Sequence, residues 1–252
     1  MNDFLVQFED LPDEILIYIF KKLYNDEVLY SLMDVNQRFD RIVHDTVFIR
    51  DLCLLEYCPI DDSTFPLSDT IIDRFCSKIL PQIGHKIKTL FLSRTSIERV
   101  LHATNYSNLN HLGLCDIEYK VAKSLFDDES PLIHMFKNQI SSLFINLSDE
   151  DDLLSMGALT SIIFIEIFNK CTNLRCLKIN PSLFDFGTVN DFMTYRTTIC
   201  STLLELHVTL THMQDCLCIL DGRFDQLRIL YITFHHICFE FSETKHNVGY
   251  FY

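Results

Sequence analysis

The sequence predicts an α/β protein in two parts. An all-helical module over residues 6–52 is followed, after a connecting stretch and a first repeat helix over 53–86, by an irregular solenoid over 87–252, with short parallel strands inside and helices outside. Three observations carry that prediction. Apolar residues in the first 50 positions recur at helical spacings, an aliphatic frame with members at i, i+3 and i+5 recurs six times downstream, and helix-like runs separate its occurrences.

The helical module starts at Leu11-Pro12-Asp13-Glu14. Proline is tolerated in a first helical turn, where its missing N–H is not needed, and two carboxylates there face the positive end of the helix dipole. Ile15, Leu16, Ile19, Phe20 and Leu23 then form an apolar stripe wider than one face, with Lys21 and Lys22 near its C-terminal end. After the polar break Tyr24-Asn-Asp-Glu a second periodic run follows: Val28, Leu29, Leu32, Met33, Val35, Phe39, Ile42 and Val43, closing near Phe48. A bundle of about 40 residues is near the lower limit for burying enough surface to stand alone, so a first helix that is apolar on two sides calls for a partner.

These residues resemble the F-box family. Its first half is matched by Leu11, Pro12, Glu14, Ile15, Ile19, Phe20 and Leu23, and its second by Asp26, Leu29, Leu32, Val35, Arg38 and Phe39; Phe39 and Phe48 stand where the family often carries tryptophan. The resemblance covers about a sixth of the chain. It implies docking on the Skp-family adaptor of a cullin-RING ubiquitin ligase through Leu11, Pro12, Ile15, Leu16, Ile19, Phe20, Leu23, Leu29, Leu32, Val35 and Phe39. Each aliphatic side chain buried there contributes roughly 1.5 to 3 kcal/mol before association costs.

In the connecting stretch, Cys53 and Cys58 precede Pro59, and residues 68–80 read as a helix with Ser68 as N-cap. The six frames are Ile87-Leu90-Leu92, Leu109-Leu112-Leu114, Ile140-Leu143-Ile145, Leu174-Leu177-Ile179, Leu203-Leu206-Val208 and Leu227-Leu230-Ile232, whose first members lie 22, 31, 34, 29 and 24 residues apart. The frame resembles the core of leucine-rich repeats, whose period of about 20 to 29 residues some of these intervals exceed. Helical runs over 119–126 and 155–171 fall between frames. Such a unit cannot bury its own apolar side, so neighbours stack into a solenoid. The last frame is followed by no obvious polar capping repeat, so whether the array is complete stays open. A different alternating α/β fold is the rival; no glycine-rich phosphate loop follows any predicted strand.

Residues alternating with the frame point to the inner surface. Among them Phe91, His111, Phe144, Lys178, His207 and Tyr231 are the candidate target-binding residues, since aromatic side chains tend to dominate interface energetics. No arginine cluster of the kind that reads phosphorylated motifs is present in the set.

The formal net charge is −14, and the first 60 residues hold 12 acidic and 5 basic side chains. A surface of that sign disfavours nucleic acid and anionic membranes as partners and favours basic protein patches. The start lacks a basic segment followed by an apolar core, and the longest apolar stretch, 158–168, is far short of the ~20 residues needed to span a bilayer. The expected location is therefore intracellular, cytoplasmic or nuclear, with the ten cysteines as reduced thiols. His212, Cys216, Cys218, His235, His236 and Cys238 match no usual zinc spacing, so neither metal nor cofactor is expected. The resemblances together imply a non-catalytic substrate-recognition subunit of an SCF-type ubiquitin ligase binding an unknown target. A non-ligase interaction scaffold and a cysteine-dependent transferase or hydrolase are the alternatives.

Overall fold

The computed structural model describes residues 8–58, 63–130, 132–148, 163–164, 166–180, 201–210, 216, 219–220, 222 and 224–234. A 3-10 turn at Phe8–Asp10 leads into four short helices: α1 (Asp13–Phe20), α2 (Asn25–Leu32), α3 (Gln37–Val43) and α4 (Thr46–Ile49). Side-chain caps start two of them, Asn36 accepting from the Phe39 N–H at 2.8 Å and Asp45 from the Val47 N–H at 2.9 Å. Phe20 packs edge-on against Phe39 and Phe48, with centroids 6.1 and 6.3 Å apart. Phe39 and Phe48 are both buried. Phenyl rings suit these sites because an indole N–H would need a partner in an apolar core.

Eight strands among the described residues form one sheet: β1 (Asp51–Cys58), β2 (Ser63–Pro66), β3 (Thr89–Ser93), β4 (His111–Ile117), β5 (Ser142–Leu147), β6 (Cys176–Asn180), β7 (Glu205–Leu210) and β8 (Ile229–Phe234). From β1 to β8, with β2 set aside, the strands lie in chain order and run parallel; β2 pairs antiparallel on the outer side of β1. The register aligns the middle member of every frame: Leu52, Leu90, Leu112, Leu143, Leu177, Leu206 and Leu230 form one ladder. All frame members from Ile87 to Val208 are buried, whereas Leu227, Leu230 and Ile232 at the β8 edge are half-buried.

A backbone device repeats with the ladder. Two consecutive N–H groups at each strand entry donate to one carbonyl of the preceding unit: Lys88 and Thr89 to Arg50, Asn110 and His111 to Lys88, Ser141 and Ser142 to Asn110, Arg175 and Cys176 to Ser141, Leu204 and Glu205 to Arg175, and Arg228 and Ile229 to Leu204, all at 2.8 to 3.0 Å. Side chains add rungs, Asn108 donating to the His85 carbonyl and Asn173 to the Asn138 carbonyl. Each unit thereby satisfies entry groups that it cannot satisfy itself.

Two sequence expectations are corrected here. Residues 53–58 and 63–66, read as part of a connector, lie in the paired antiparallel strands β1 and β2, and the boundary at 52/53 falls inside β1. The frame also has an earlier member, Ile49-Leu52-Leu54, all three buried. Its helical half ends the front module and its strand half begins the sheet, so a boundary drawn between module and repeats conceals it.

The predicted helix over 68–80 spans Asp69 to Ile83 as α5 (Asp69–Arg74), a π turn (Phe75–Ile79) and α6 (Leu80–Ile83). Pro81, with no N–H to give to a carbonyl one turn back, lies two residues after the widened turn. Ser68 holds the N-cap position without a cap bond, its hydroxyl meeting Thr70 Oγ1 at 3.1 Å. The short helices α7 (Ile97–Leu101), α8 (Tyr119–Leu125) and α9 (Ile133–Asn138) follow, and of the predicted 155–171 helix the described residues 163–164 and 166–170 are helical. Apolar side chains of these helices and the frame residues form one contiguous core with Leu16, Phe20 and Phe48 of the front module. No helix among the described residues is long and apolar enough to cross a membrane.

Candidate functional site: a front apolar face and an open sheet face

In the front module, burial divides the eleven expected docking residues. Pro12, Ile15, Leu23 and Val35 are exposed, Ile15 by 46% and Val35 by 56%. Leu11, Ile19 and Leu32 are half-buried. Leu16, Phe20, Leu29 and Phe39 are buried, and their inclusion in a docking set is corrected: a side chain closed into its own core has no surface to give a partner. The stripe read as apolar on two sides thus separates into an inner line through Leu16 and Phe20 and an outer line through Leu11, Ile15 and Ile19. Tyr18, 64% exposed, and Phe8 extend the outer surface; neither was signalled by the helical stripe.

Asp13 fixes the entry to α1. It accepts from Arg38 and Arg41, each at 2.7 Å, and Arg38 also donates to the Leu11 carbonyl. The hydrogen bond from Arg38 is the largest influence and, joined by that from Arg41 and by both charges, holds the Asp13 carboxyl below the usual range although burial opposes it. The arginine before Phe39 therefore orients the Leu-Pro end of α1 relative to α3. Residues 8–55 match the F-box-like family. The F-box-like segment takes in all four front helices and the first half of β1, so the match itself crosses into the sheet. No curated protein matches the chain.

Of the six expected target-binding residues, the register sets Phe91, Phe144, Lys178, His207 and Tyr231 in one row across the sheet, with Cys53 and Gly113 completing it, and His111 in the row two residues earlier. Strand spacing puts neighbours in such a row about 5 Å apart. Tyr231 and His111 are exposed and the other four half-buried. Phe91 leans over Gly113 to meet Phe144, their centroids 6.0 Å apart. A Cβ on Gly113 would lie 2.2 Å from the Phe91 ring, so glycine is what allows the two rings to meet across an intervening strand. Gly113→Ala is expected to swing Phe91 away, cost about 1 to 3 kcal/mol, and erase the nuclear Overhauser contact between the Phe91 and Phe144 rings. Retention of that contact in the variant would show the glycine to be dispensable.

The other end of the row is polar. His207 stacks on Tyr231 with centroids 4.3 Å apart, and Glu205 lies 2.6 Å from His207 Nε2 and 3.3 Å from Lys178 Nζ. The His207 hydrogen bond, more than Lys178, holds Glu205 below the usual carboxylate range despite an opposing effect of burial. Glu205 is the organising residue that the expected set lacks. Its place one residue before a frame leucine puts it on this face, but an acidic side chain gave no reason to rank it above its neighbours.

Asp26, at the start of α2, behaves differently. Burial dominates at its carboxyl and, with the neighbouring Glu27 charge adding to it, pushes it up to about 6 against a smaller opposing effect of nearby backbone N–H groups. A carboxyl whose folded pKa exceeds the unfolded value near 3.8 destabilises the fold while ionised; this cost is present above pH 6 and is relieved as pH falls from 6 towards 4. The full shift corresponds to about 3 kcal/mol, which solvent screening at a half-exposed site reduces to about 1 kcal/mol. Asp26→Asn is accordingly expected to stabilise the chain by about 1 kcal/mol at pH 7.5 and by nothing measurable near pH 4, as read by urea unfolding at both values. An equal effect at both pH values would show that ionisation of Asp26 is not its source.

Among the described residues no three His, Cys, Asp or Glu side chains are placed to hold a metal. Of the His/Cys set near the C-terminus only Cys216 lies among the described residues.

Proposed function

We propose that this chain is a non-catalytic target-recognition subunit of an SCF-type ubiquitin ligase: the F-box-like segment docks on a Skp-family adaptor and, through it, a cullin-RING scaffold, while the sheet carries a target protein. The observation that carries this reading is the F-box-like match over 8–55 on a module in which Pro12, Ile15, Leu23 and Val35 are exposed. Unpartnered aliphatic side chains on a small acidic module are the physical signature of a docking face.

The repeats are read as leucine-rich repeats. In-order parallel strands, one leucine ladder and a shared carbonyl at each strand entry support that reading, because each is what stacked copies of one unit produce. The row Phe91, Phe144, Lys178, His207 and Tyr231 then serves as the target surface, with ring contacts at one end and charge at the other. Ubiquitin transfer gains from the effective concentration that the tether provides.

Cysteine chemistry is disfavoured at four of the described thiols. Burial pushes Cys53 up to about 11 and Cys115 to about 12, and raises Cys76 and Cys176, whereas a nucleophilic cysteine needs the opposite shift. The test is affinity purification of the full chain from cells with quantification of adaptor and cullin. Recovery of both supports the ligase reading; adaptor without cullin turns it to a scaffold, and recovery of neither overturns it.

A further inference from the structure

A cavity of about 540 Å³ opens between α2, β1 and the start of α5. Its wall carries the tyrosines Tyr24, Tyr30 and Tyr57 and the carboxylates Asp26, Glu27 and Glu56, and among the described residues no lysine or arginine lines it. Tyr24 and Tyr57 meet edge-on with centroids 6.2 Å apart, forming an aromatic corner from two separate elements. Tyr30 already serves as a cation acceptor: the Arg74 guanidinium lies 5.2 Å from its centroid. Arg74 is tethered there by its bond to the Met33 carbonyl at 2.9 Å, so it is not the occupant of the cavity. Glu27 is oriented by the Tyr24 N–H at 3.1 Å. Leu23, Leu55, Leu67 and Ile71 supply apolar wall.

Three carboxylates and three aromatic rings around one space attract a group that is cationic at its tip and apolar along its stem. Neutral apolar ligands gain nothing from the carboxylates, and anions are repelled by them. The front of the chain adds to the attraction, with 12 acidic against 5 basic residues in its first 60. We infer that this cavity binds the cationic side chain of a basic peptide, the ammonium seated between the Tyr24–Tyr57 corner and Asp26 with its methylene stem against Leu55 and Leu67. Cation–π attraction combined with charge pairing in a partly desolvated site is what would hold it. The burial that pushes Asp26 up to about 6 fits such a role, because an incoming ammonium offsets the cost of an ionised carboxylate there. The inference stands independently of the ligase reading.

The test is a titration of the isotope-labelled full chain followed by NMR at the Tyr24, Tyr57 and Asp26 signals. The probes are N-acetyl-lysine methylamide, its trimethylammonium form, the arginine counterpart and the uncharged norleucine counterpart. Saturable shifts at these signals with the cationic probes, at least tenfold weaker with norleucine, are expected. The Asp26→Asn/Tyr57→Ala double variant is expected to lose about tenfold or more in affinity, and Asp26→Asn alone to bind more weakly although it melts no lower. Comparable binding of norleucine, shifts with none of the cationic probes, or unchanged affinity in the double variant overturns the inference.

Discussion

Ile15→Asp is expected to abolish capture of a Skp-family adaptor while shifting the melting temperature of the chain by no more than about 2 °C, because an exposed site away from caps and networks contributes little to folding. Leu16→Ala, one residue along the same helix, is expected to do something different: lower stability by about 3 kcal/mol or more. Leu16 is fully buried with Phe20, and truncating a buried leucine costs both its transfer energy and the cavity left behind. Ile15 is 46% exposed on the outer line. A charge placed there sits in water in the free chain but must be desolvated against an apolar groove in the complex, and that penalty exceeds what one lost aliphatic contact would cost. Thermal melts of both variants, paired with pull-downs on immobilised adaptor, separate the two roles. Normal capture by Ile15→Asp would remove the outer line from the docking face; intact stability in Leu16→Ala would contradict its place in the core.

Much of this arrangement was legible in the residues, for a physical reason. The i, i+3, i+5 frame marks a residue entering a strand and two alternate residues on its buried face, a spacing that only a short strand satisfies, so the frames locate the strands and the ladder follows. What the spacing does not encode is depth. Both lines of α1 are aliphatic, and hydropathy alone cannot tell Ile15 from Leu16; only the positions of Phe39, Phe48 and α2 decide which line is covered. The aromatic pair Phe91 and Phe144 was visible as two rings on one face, but their contact depends on the missing side chain of Gly113 between them. The cavity beside Asp26 was beyond reach because its walls come from α2 and from Leu55, Glu56, Tyr57, Leu67 and Ile71, which fall in and beside a stretch that reads as a connector.

The first strand joins the two parts, and its removal is expected to have the largest structural effect. Asn25 on α2 donates to the Asp51 carbonyl at 2.9 Å, the Arg50 carbonyl accepts from Lys88 and Thr89, and Asp51 accepts from the Thr89 hydroxyl at 2.6 Å. Leu52 and Leu54 lie in the same contiguous core as Phe48 on one side and Leu90 and Leu92 on the other. Front helices and sheet are therefore not separable bodies: each relies on β1 to close its apolar side. Leu52→Ala is expected to cost about 3 kcal/mol and to shift a single unfolding transition, the same midpoint being read from the Tyr30 environment in the front module and from the far-ultraviolet signal of the sheet. Dividing the chain between residues 52 and 53 splits the strand, and neither piece is expected to show cooperative unfolding. Two separate transitions in the intact chain, only one of them moved by Leu52→Ala, would show that the module and the sheet fold independently.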